Sequence, residues 1–386
     1  MPAAKACIAI LLIFAGICSA HGTAEPVKVS LLVASPGDKV FQCTGHVAIR
    51  LECPAYGLDN VFSYETDRGS LAGQVFGRAK GRYSRIAFSD YCREFIDEGR
   101  GITSYPLNLT DSQIRRLWMF CDGDAEQGAE SNFNIRWRNC NSAAFDKIAA
   151  ALGGESIVVA RDSLVTLDNG DALKAILLPS RPWAALVLTA ALGADCGDTD
   201  SWRTRMVPTA MPAMLPTATI CSADGTSRPL LAGEPVVLAA KATDDSPAAT
   251  PGAVFAAILV LSVAVSLADL RHRLPRLVAI ADRTALVLLT VTSLALIAVS
   301  VLPLSIGGTW NWLYIPLNPL PAIVWLVWRR RRWAPIFFLV YGVAAALFVA
   351  APLFTSNTGT WSSLLSAAIA LRVLSHYIPI ILKYYE

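Results

Sequence analysis

The residues best able to do chemistry in this chain are one cysteine and one histidine. Phe133–Ile148 reads FNIRWRNCNSAAFDKI, with a polar Asn139-Cys140 pair at the mouth of a helical pattern. Ala144, Ile148 and Leu152 recur at helical spacing until Gly153-Gly154 ends it. A thiol in a first helical turn meets free backbone N–H groups and the positive end of the helix dipole, which favours the thiolate. His46 lies in the strand-like run Gly45-His46-Val47-Ala48-Ile49-Arg50 and is the residue type that takes a thiol proton. The chemistry implied is nucleophilic catalysis by Cys140 with His46 as base. Taken alone, His46 also reads as a core or turn histidine bonded to backbone. Cys43 is a rival nucleophile, but a strand spacing of three turns it to the opposite side from His46, and no helix end stands behind it.

The elements that must position this pair alternate between short strand and helix signals. Val27–Val33 is a β-type run, Ser35-Pro36-Gly37-Asp38 a turn, and Val47–Leu51 and Asn60–Glu65 further strands. Phe88–Gly99 has helical periodicity, Ile102–Leu107 returns to strand character, and Thr110-Asp111 caps a helix through Phe120. This is a compact α+β domain, expected over residues 21–153. Residues 154–245 carry a weaker signal, with an apolar helix around Trp183–Leu192, and form an extension whose linker is richest in breakers at TDDSPAATP.

The chain has 386 residues, 54% hydrophobic content and a net charge of +3. The charge is too small, and too concentrated beside apolar runs, for a nucleic-acid partner. The first 20 residues combine Lys5, an apolar core and a small residue at Ala20, and read as a secretory signal cleaved after Ala20, with an uncleaved anchor as the alternative. Cys43, Cys53, Cys92, Cys121, Cys140, Cys196 and Cys221 lie in the exported part, an odd number that suits three disulfides and a free Cys140. The other reading is that several are small buried hydrophobes. No paired Cys or His motif suggests a metal, and no cofactor is implied.

Beyond residue 246 long uncharged runs dominate, with spans expected near 253–268, 284–302, 313–328, 334–353 and 361–382. Leu313–Trp328 is short and holds three prolines, which points to a broken or partly re-entrant span. Arg271, Arg273, Arg276 and Arg283 mark one basic loop and Arg329–Arg332 another, while Ser305–Trp310 and Thr355–Thr360 carry no charge. The positive-inside bias puts the basic loops and the carboxyl terminus in the cytoplasm. Arg372, with His376, falls inside the last run, where a charge is costly unless it meets a protein or water-lined interior. Both are candidates for lipid-headgroup or substrate contacts, with snorkelling of Arg372 as the alternative.

SPGDKVFQCTGHVAIR, FSYE, the YPLNLT segment and FNIRWRNCNSAAFDKI, in this order, resemble the periplasmic domain of the Lnb lipoprotein N-acyltransferases. RPWAALVLTAALGA and RPLLAGEPVVL are similar to later parts of that domain, and TWNWLYIPLNPL to the membrane half. The order of histidine, polar strand residue and helix-borne cysteine also resembles a circularly permuted papain-like arrangement of the lecithin:retinol acyltransferase type. The resemblance implies that His46 and Cys140 are catalytic. Ser63-Tyr64-Glu65 stands where the family more often has Asn-Tyr-Gly, and Arg138-Asn139-Cys140-Asn141-Ser142-Ala143 replaces its usual Asp-Asn-Cys-Ala-Thr-Arg. Ser63, Tyr64, Glu65 and Asn139 are therefore candidates to orient or support the pair.

By the same resemblance the partners are a phospholipid acyl donor and diacylated lipoproteins at a bacterial inner membrane. Arg50, Arg78 and Arg82 are candidates for lipid phosphate contacts, against the commoner reading of a solvated basic face. The alternatives to acyl transfer are a cysteine hydrolase acting on envelope peptides or lipid amides, and a non-catalytic envelope binding protein needing neither thiol nor imidazole.

Overall fold

The computed structural model describes residues 27–37, 39, 42–66, 79–134, 137–159, 169–179, 181–197, 208–240, 249–301 and 310–385. The expected signal segment 1–20 and Arg78 lie outside them. Strands β1 (Lys28–Ala34), β2 (His46–Cys53), β3 (Leu58–Thr66), β4 (Lys80–Ala87), β5 (Ile102–Pro106) and β6 (Glu130–Asn132) build one antiparallel sheet. Its order is β10-β5-β1-β2-β3-β4-β6, where β10 (Val236–Ala239) returns from far along the chain to pair with β5.

Alternation along β2 sends its side chains to two covered faces. Val47, Ile49 and Leu51 join the larger core beneath helices α2 (Asp111–Gln127) and α3 (Cys140–Ala151), to which Leu117, Phe145 and Ile148 contribute. Ala48 faces the other way and packs with Leu32, Val61 and Ile102 under helix α1 (Phe88–Asp97), whose Tyr91 and Phe95, four residues apart, form the apolar stripe. Phe145 and Ile148 are fully buried, and truncating Phe145 to alanine would cost about 3–5 kcal/mol. The α+β class read from sequence is the one observed.

Residues 154–240 are bound into this core rather than appended to it. β7 (Ser156–Val159), β8 (Ala218–Cys221) and β9 (Ser227–Pro229) form a second antiparallel sheet, and Ile157, Ile220 and Leu230 belong to the same core as β2. A boundary at residue 153 therefore marks no structural division. The expected disulfides are also absent: all seven cysteines of the exported part are free thiols, and Cys43, Cys53, Cys121 and Cys196 are buried singly in different elements. They act as small apolar side chains.

Helices α4 (Asn169–Leu177) and α5 (Pro182–Leu192) carry the fold to the membrane half. Among the described residues four helices there are long and apolar enough to cross a bilayer: α6 (Pro251–Leu270), α7 (Pro275–Val301), α8 (Ala334–Phe348, continued by a turn at Ala351–Leu353) and α9 (Thr360–Tyr385). The expected span at 313–328 is not a continuous helix. Among the described residues it comprises a 3-10 turn at Trp312–Tyr314, a proline-interrupted stretch, four helical residues at Leu320–Ile323 and a π-helical turn at Val324–Trp328. Pro316 and Pro319 break the helical hydrogen-bond ladder, and the freed Pro316 carbonyl accepts from Tyr341 Oη of α8 at 2.6 Å.

One end of this bundle is fastened to the extracytoplasmic fold. Asn311 Nδ2 donates to the Ala190 carbonyl of α5 at 2.5 Å, Asn357 Nδ2 donates to Asn311 Oδ1 at 3.1 Å, and Lys174 Nζ of α4 donates to the Thr358 carbonyl at 3.3 Å. The other end holds ion pairs. Arg372 of α9 grips Asp282 of α7 with two bonds of 2.7 Å and reaches Asp269 of α6 at 2.9 Å, while His376 Nδ1 meets Asp269 at 2.8 Å. Arg372 and His376, expected as headgroup or substrate contacts, are thus committed to tying three helices together beside the basic turn at Arg271 and Arg273. Leu374 and Val373 of α9 pack directly over Gly342 of α8, where an added Cβ would lie 2.8 Å from Leu374 Cδ2.

Breaking one partner of such a sequestered pair costs on the order of 3 kcal/mol. Asp282→Ala should therefore lower the thermal unfolding midpoint in detergent, and the exchange Asp282→Arg with Arg372→Asp should recover part of the loss. An exchange no more stable than either single reversal would contradict the network.

Candidate functional site

His46 is the first residue of β2, delivered by a turn whose Gly45 has φ +88°, a conformation that glycine adopts without a Cβ penalty. Cys140 is the first residue of α3, fixed there by a reciprocal cap. Asn139 Oδ1 accepts from the Ser142 N–H and Ser142 Oγ accepts from the Asn139 N–H, both at 3.0 Å. Because α3 packs on β2 and β3, the start of the helix comes to the start of the strand. There the Cys140 thiol and the His46 imidazole are hydrogen-bonded, and the backbone N–H groups of Val47 and Asn141 point to the sulfur.

On the other side of the ring, His46 Nε2 meets Ser63 Oγ at 2.7 Å. Ser63 is fully buried on the adjacent strand, where β2 pairs with β3 and Ala48 stands opposite Ser63. Nδ1 is then the ring nitrogen left for sulfur. Burial works against a charged Cys140, but the positive charge and hydrogen bond of His46, with the Val47 and Asn141 N–H groups, outweigh it and hold the thiol below its ordinary value. Burial likewise works against a charged His46, yet the Cys140 thiolate and Glu65 raise it above the ordinary imidazole value, with Arg100 acting in opposition. The two titrate as a coupled pair, each favouring the charged form of the other.

The remaining candidates divide. Ser63 and Glu65 share the face of β3 turned to His46, whereas Tyr64 points to the opposite face, where its hydroxyl meets Ser131 Oγ at 2.5 Å and its ring tilts on Tyr83. Tyr64 is not brought to the pair. Asn139 serves as the helix cap. Arg50 is held by Asp59 at 2.7 and 2.8 Å and lies 3.6 Å from the centre of the Phe88 ring, so it is occupied within the fold. Arg82 is exposed and stands across from Glu65 in the β3–β4 register. Cys43 sits in the turn before β2, not on the strand, and burial pushes its thiol up although Arg181 draws it down. Among the described residues no cluster of His, Cys, Asp and Glu could hold a metal.

Sequence reasoning missed the α1 side of the site. Phe95 stacks on the His46 imidazole with ring centroids 6.0 Å apart, and Arg100 reaches the same pocket wall. The only signal was the aromatic pair Tyr91 and Phe95 at helical spacing, which reads as core packing.

The lowered thiol gives a signed expectation. Cys140 should be alkylated by iodoacetamide well below the usual thiol range, and His46→Gln, which removes the counter-charge and leaves burial unopposed, should slow alkylation in mildly acidic buffer by about tenfold or more. Equal rates in the two proteins would exclude the ion pair.

Residues 20–163 match the family model described as the Lnb N-terminal periplasmic domain. No curated protein and no solved structure matches the chain. The matched stretch contains β1 to β7, α1 to α3 and both His46 and Cys140. The chain thus carries a stretch similar to the Lnb N-terminal periplasmic domain, followed, among the described residues, by four apolar helices able to span a membrane.

Proposed function

We propose that the protein is a lipoprotein N-acyltransferase of a bacterial inner membrane, using Cys140 as nucleophile and His46 as proton carrier. The observation that carries this reading is the hydrogen-bonded Cys140–His46–Ser63 arrangement at a capped helix start, inside the family domain. The order of strand histidine before helix cysteine fits a permuted papain-like scheme. The Cys140 thiolate attacks a phospholipid ester carbonyl, N–H groups of the first turn of α3 stabilise the oxyanion, and the C–O bond breaks. The departing lysophospholipid oxygen takes the proton from the His46 imidazolium, leaving a thioester on Cys140. The α-amine of a diacylated lipoprotein then attacks the thioester, His46 accepts the amine proton, and the C–S bond breaks to return the thiolate. The product is a triacylated lipoprotein.

In this reading the end of the bundle bearing Asn311 and Asn357 faces the periplasm, and the arginine-rich turns and carboxyl terminus face the cytoplasm. Reporters fused after Arg283 and Arg332 should behave as cytoplasmic and those after Gly359 as periplasmic; reversal at either basic turn would overturn the orientation.

Purified protein given labelled phospholipid without acceptor should carry hydroxylamine-sensitive label on the Cys140 peptide. Cys140→Ala should abolish transfer and Cys140→Ser strongly impair it. His46→Ala should lose on the order of a thousandfold, with the double variant scarcely worse than Cys140→Ala because the two act as a unit. Label on Cys43, or full transfer by Cys140→Ala, would refute the assignment. Mass spectrometry of a reporter lipoprotein's N-terminal peptide identifies the product, and release of free fatty acid alone would favour a hydrolase.

A further inference from the structure

Helix α1 places a layered group against the reactive pair. The Tyr91 and Phe95 rings lie 4.6 Å apart, and Phe95 stacks on the His46 imidazole with the planes 25° from parallel. Past Gly99, whose φ of +68° turns the chain back, Arg100 lays its guanidinium 4.3 Å from the centre of the Phe95 ring. Phe95 thus contacts both the imidazole and the guanidinium. Arg100 is only 4% exposed.

The same residues anchor the turn that leads into His46. Arg100 Nε donates to the Ser35 carbonyl at 2.8 Å and Nη1 to Glu98 at 3.3 Å. Glu98 also accepts from Lys39 and Gln42, each at 2.9 Å, and Ser35 and Gly101 exchange hydrogen bonds of 2.8 Å. Ser35, Lys39 and Gln42 are therefore fastened to the end of α1.

This fastening leaves the Arg100 charge only partly neutralised. Glu98 is divided among three donors, its contact with Nη1 is the longest of them, and Arg100 Nη2 is buried with no hydrogen-bond partner among the described residues. Buried guanidinium groups normally satisfy their N–H bonds, because an unmade one is destabilising. The residual field reaches the site: burial holds Arg100 below its ordinary value while Glu98, Tyr91 and Cys140 act to raise it, and by reciprocity the guanidinium favours the Cys140 thiolate.

We infer that Phe95 and Arg100 are positioning residues for the reactive pair, the ring fixing the plane of the imidazole toward Cys140 and the partly neutralised guanidinium behind it favouring the thiolate. The inference rests on Cys140 and His46 being the reactive pair, and not on the identity of acyl donor or acceptor. The titratable and charged groups around His46 are Cys140 from α3, Glu65 from β3, Tyr91 from α1 and Arg100 with its partner Glu98. Glu65 holds the proton on His46 and Arg100 opposes it, so losing the guanidinium raises both limits of the ion-pair window.

The test follows iodoacetamide alkylation of Cys140 against pH in the full-length protein in detergent. Arg100→Met should move the acid limb upward by about one pH unit. Arg100→Lys keeps a charge without the planar stack, and Phe95→Leu keeps the charge without the ring; both should slow alkylation severalfold at an unshifted limb. Where Arg100→Met does not fold, the other two variants decide: slowed rates at an unshifted limb support the inference, and wild-type rates overturn it. An Arg100→Met profile superimposed on wild type also overturns it. A wild-type Cys140 unreactive in acid overturns this inference together with the ion pair. The expected alkylation pattern without any acyl transfer supports it and counts against the proposed function alone.

Discussion

The structure depends on one meeting point, where the start of a buried helix touches the start of an interior strand. Sulfur and imidazole come from residues 46 and 140, and neither element holds its reactive group in place alone. The apolar side chains that seat α3 on the sheet, Phe145 and Ile148, sit one and two turns beyond Cys140 and fix the helix as a rod. The Asn139–Ser142 cap then sets where the rod begins. Moving that beginning by one residue would swing the sulfur about 100° around the helix, away from the imidazole. Packing supplies the energy and the cap supplies the register.

The membrane half distributes its polarity by the same logic of paired groups. At the end fastened to the extracytoplasmic fold, neutral amides and carbonyls meet one another through Asn311, Asn357 and Ala190. At the opposite end the groups are charged, and Arg372 is held by two carboxylates. Between them, the broken stretch at 312–328 is tolerated because Tyr341 satisfies the carbonyl freed by the prolines. Trp310, Trp312 and Tyr314 cluster edge to face at one end, and Trp328 and Trp333 pair near Arg329 at the other, as amphipathic rings do at both interfaces of a bilayer.

What was legible in the sequence was local. The α3 start could be read because Asn139 and Ser142 stand at cap positions and the apolar residues follow at helical spacing; the four long membrane helices could be read because each holds a long, mostly apolar run. The proline-rich fifth run showed that a break was due, but not its form, since a π turn depends on neighbours. Long-range pairing was illegible. Nothing in Val236-Val237-Leu238-Ala239 announces that it will lie beside β5, and nothing in the cysteine count reveals that the seven thiols form no disulfide with one another. The partners of Arg372 were hidden for the same reason, because Asp282 lies 90 residues away. The α1 side escaped notice because a ring that stacks on a histidine and a ring that fills a core carry the same sequence signature.

The choice of cysteine has a physical basis within this architecture. An acyl group moved from an ester to an amine passes water on the way, and a covalent carrier must stay reactive toward nitrogen while water is kept out. A thioester meets that demand better than an oxygen ester. The Cys140 thiol is favoured toward its charged form by His46 and by the Val47 and Asn141 N–H groups, with Glu65 supporting the charge on His46. All are fixed by the fold before substrate arrives, so little reorganisation is required at the moment of attack.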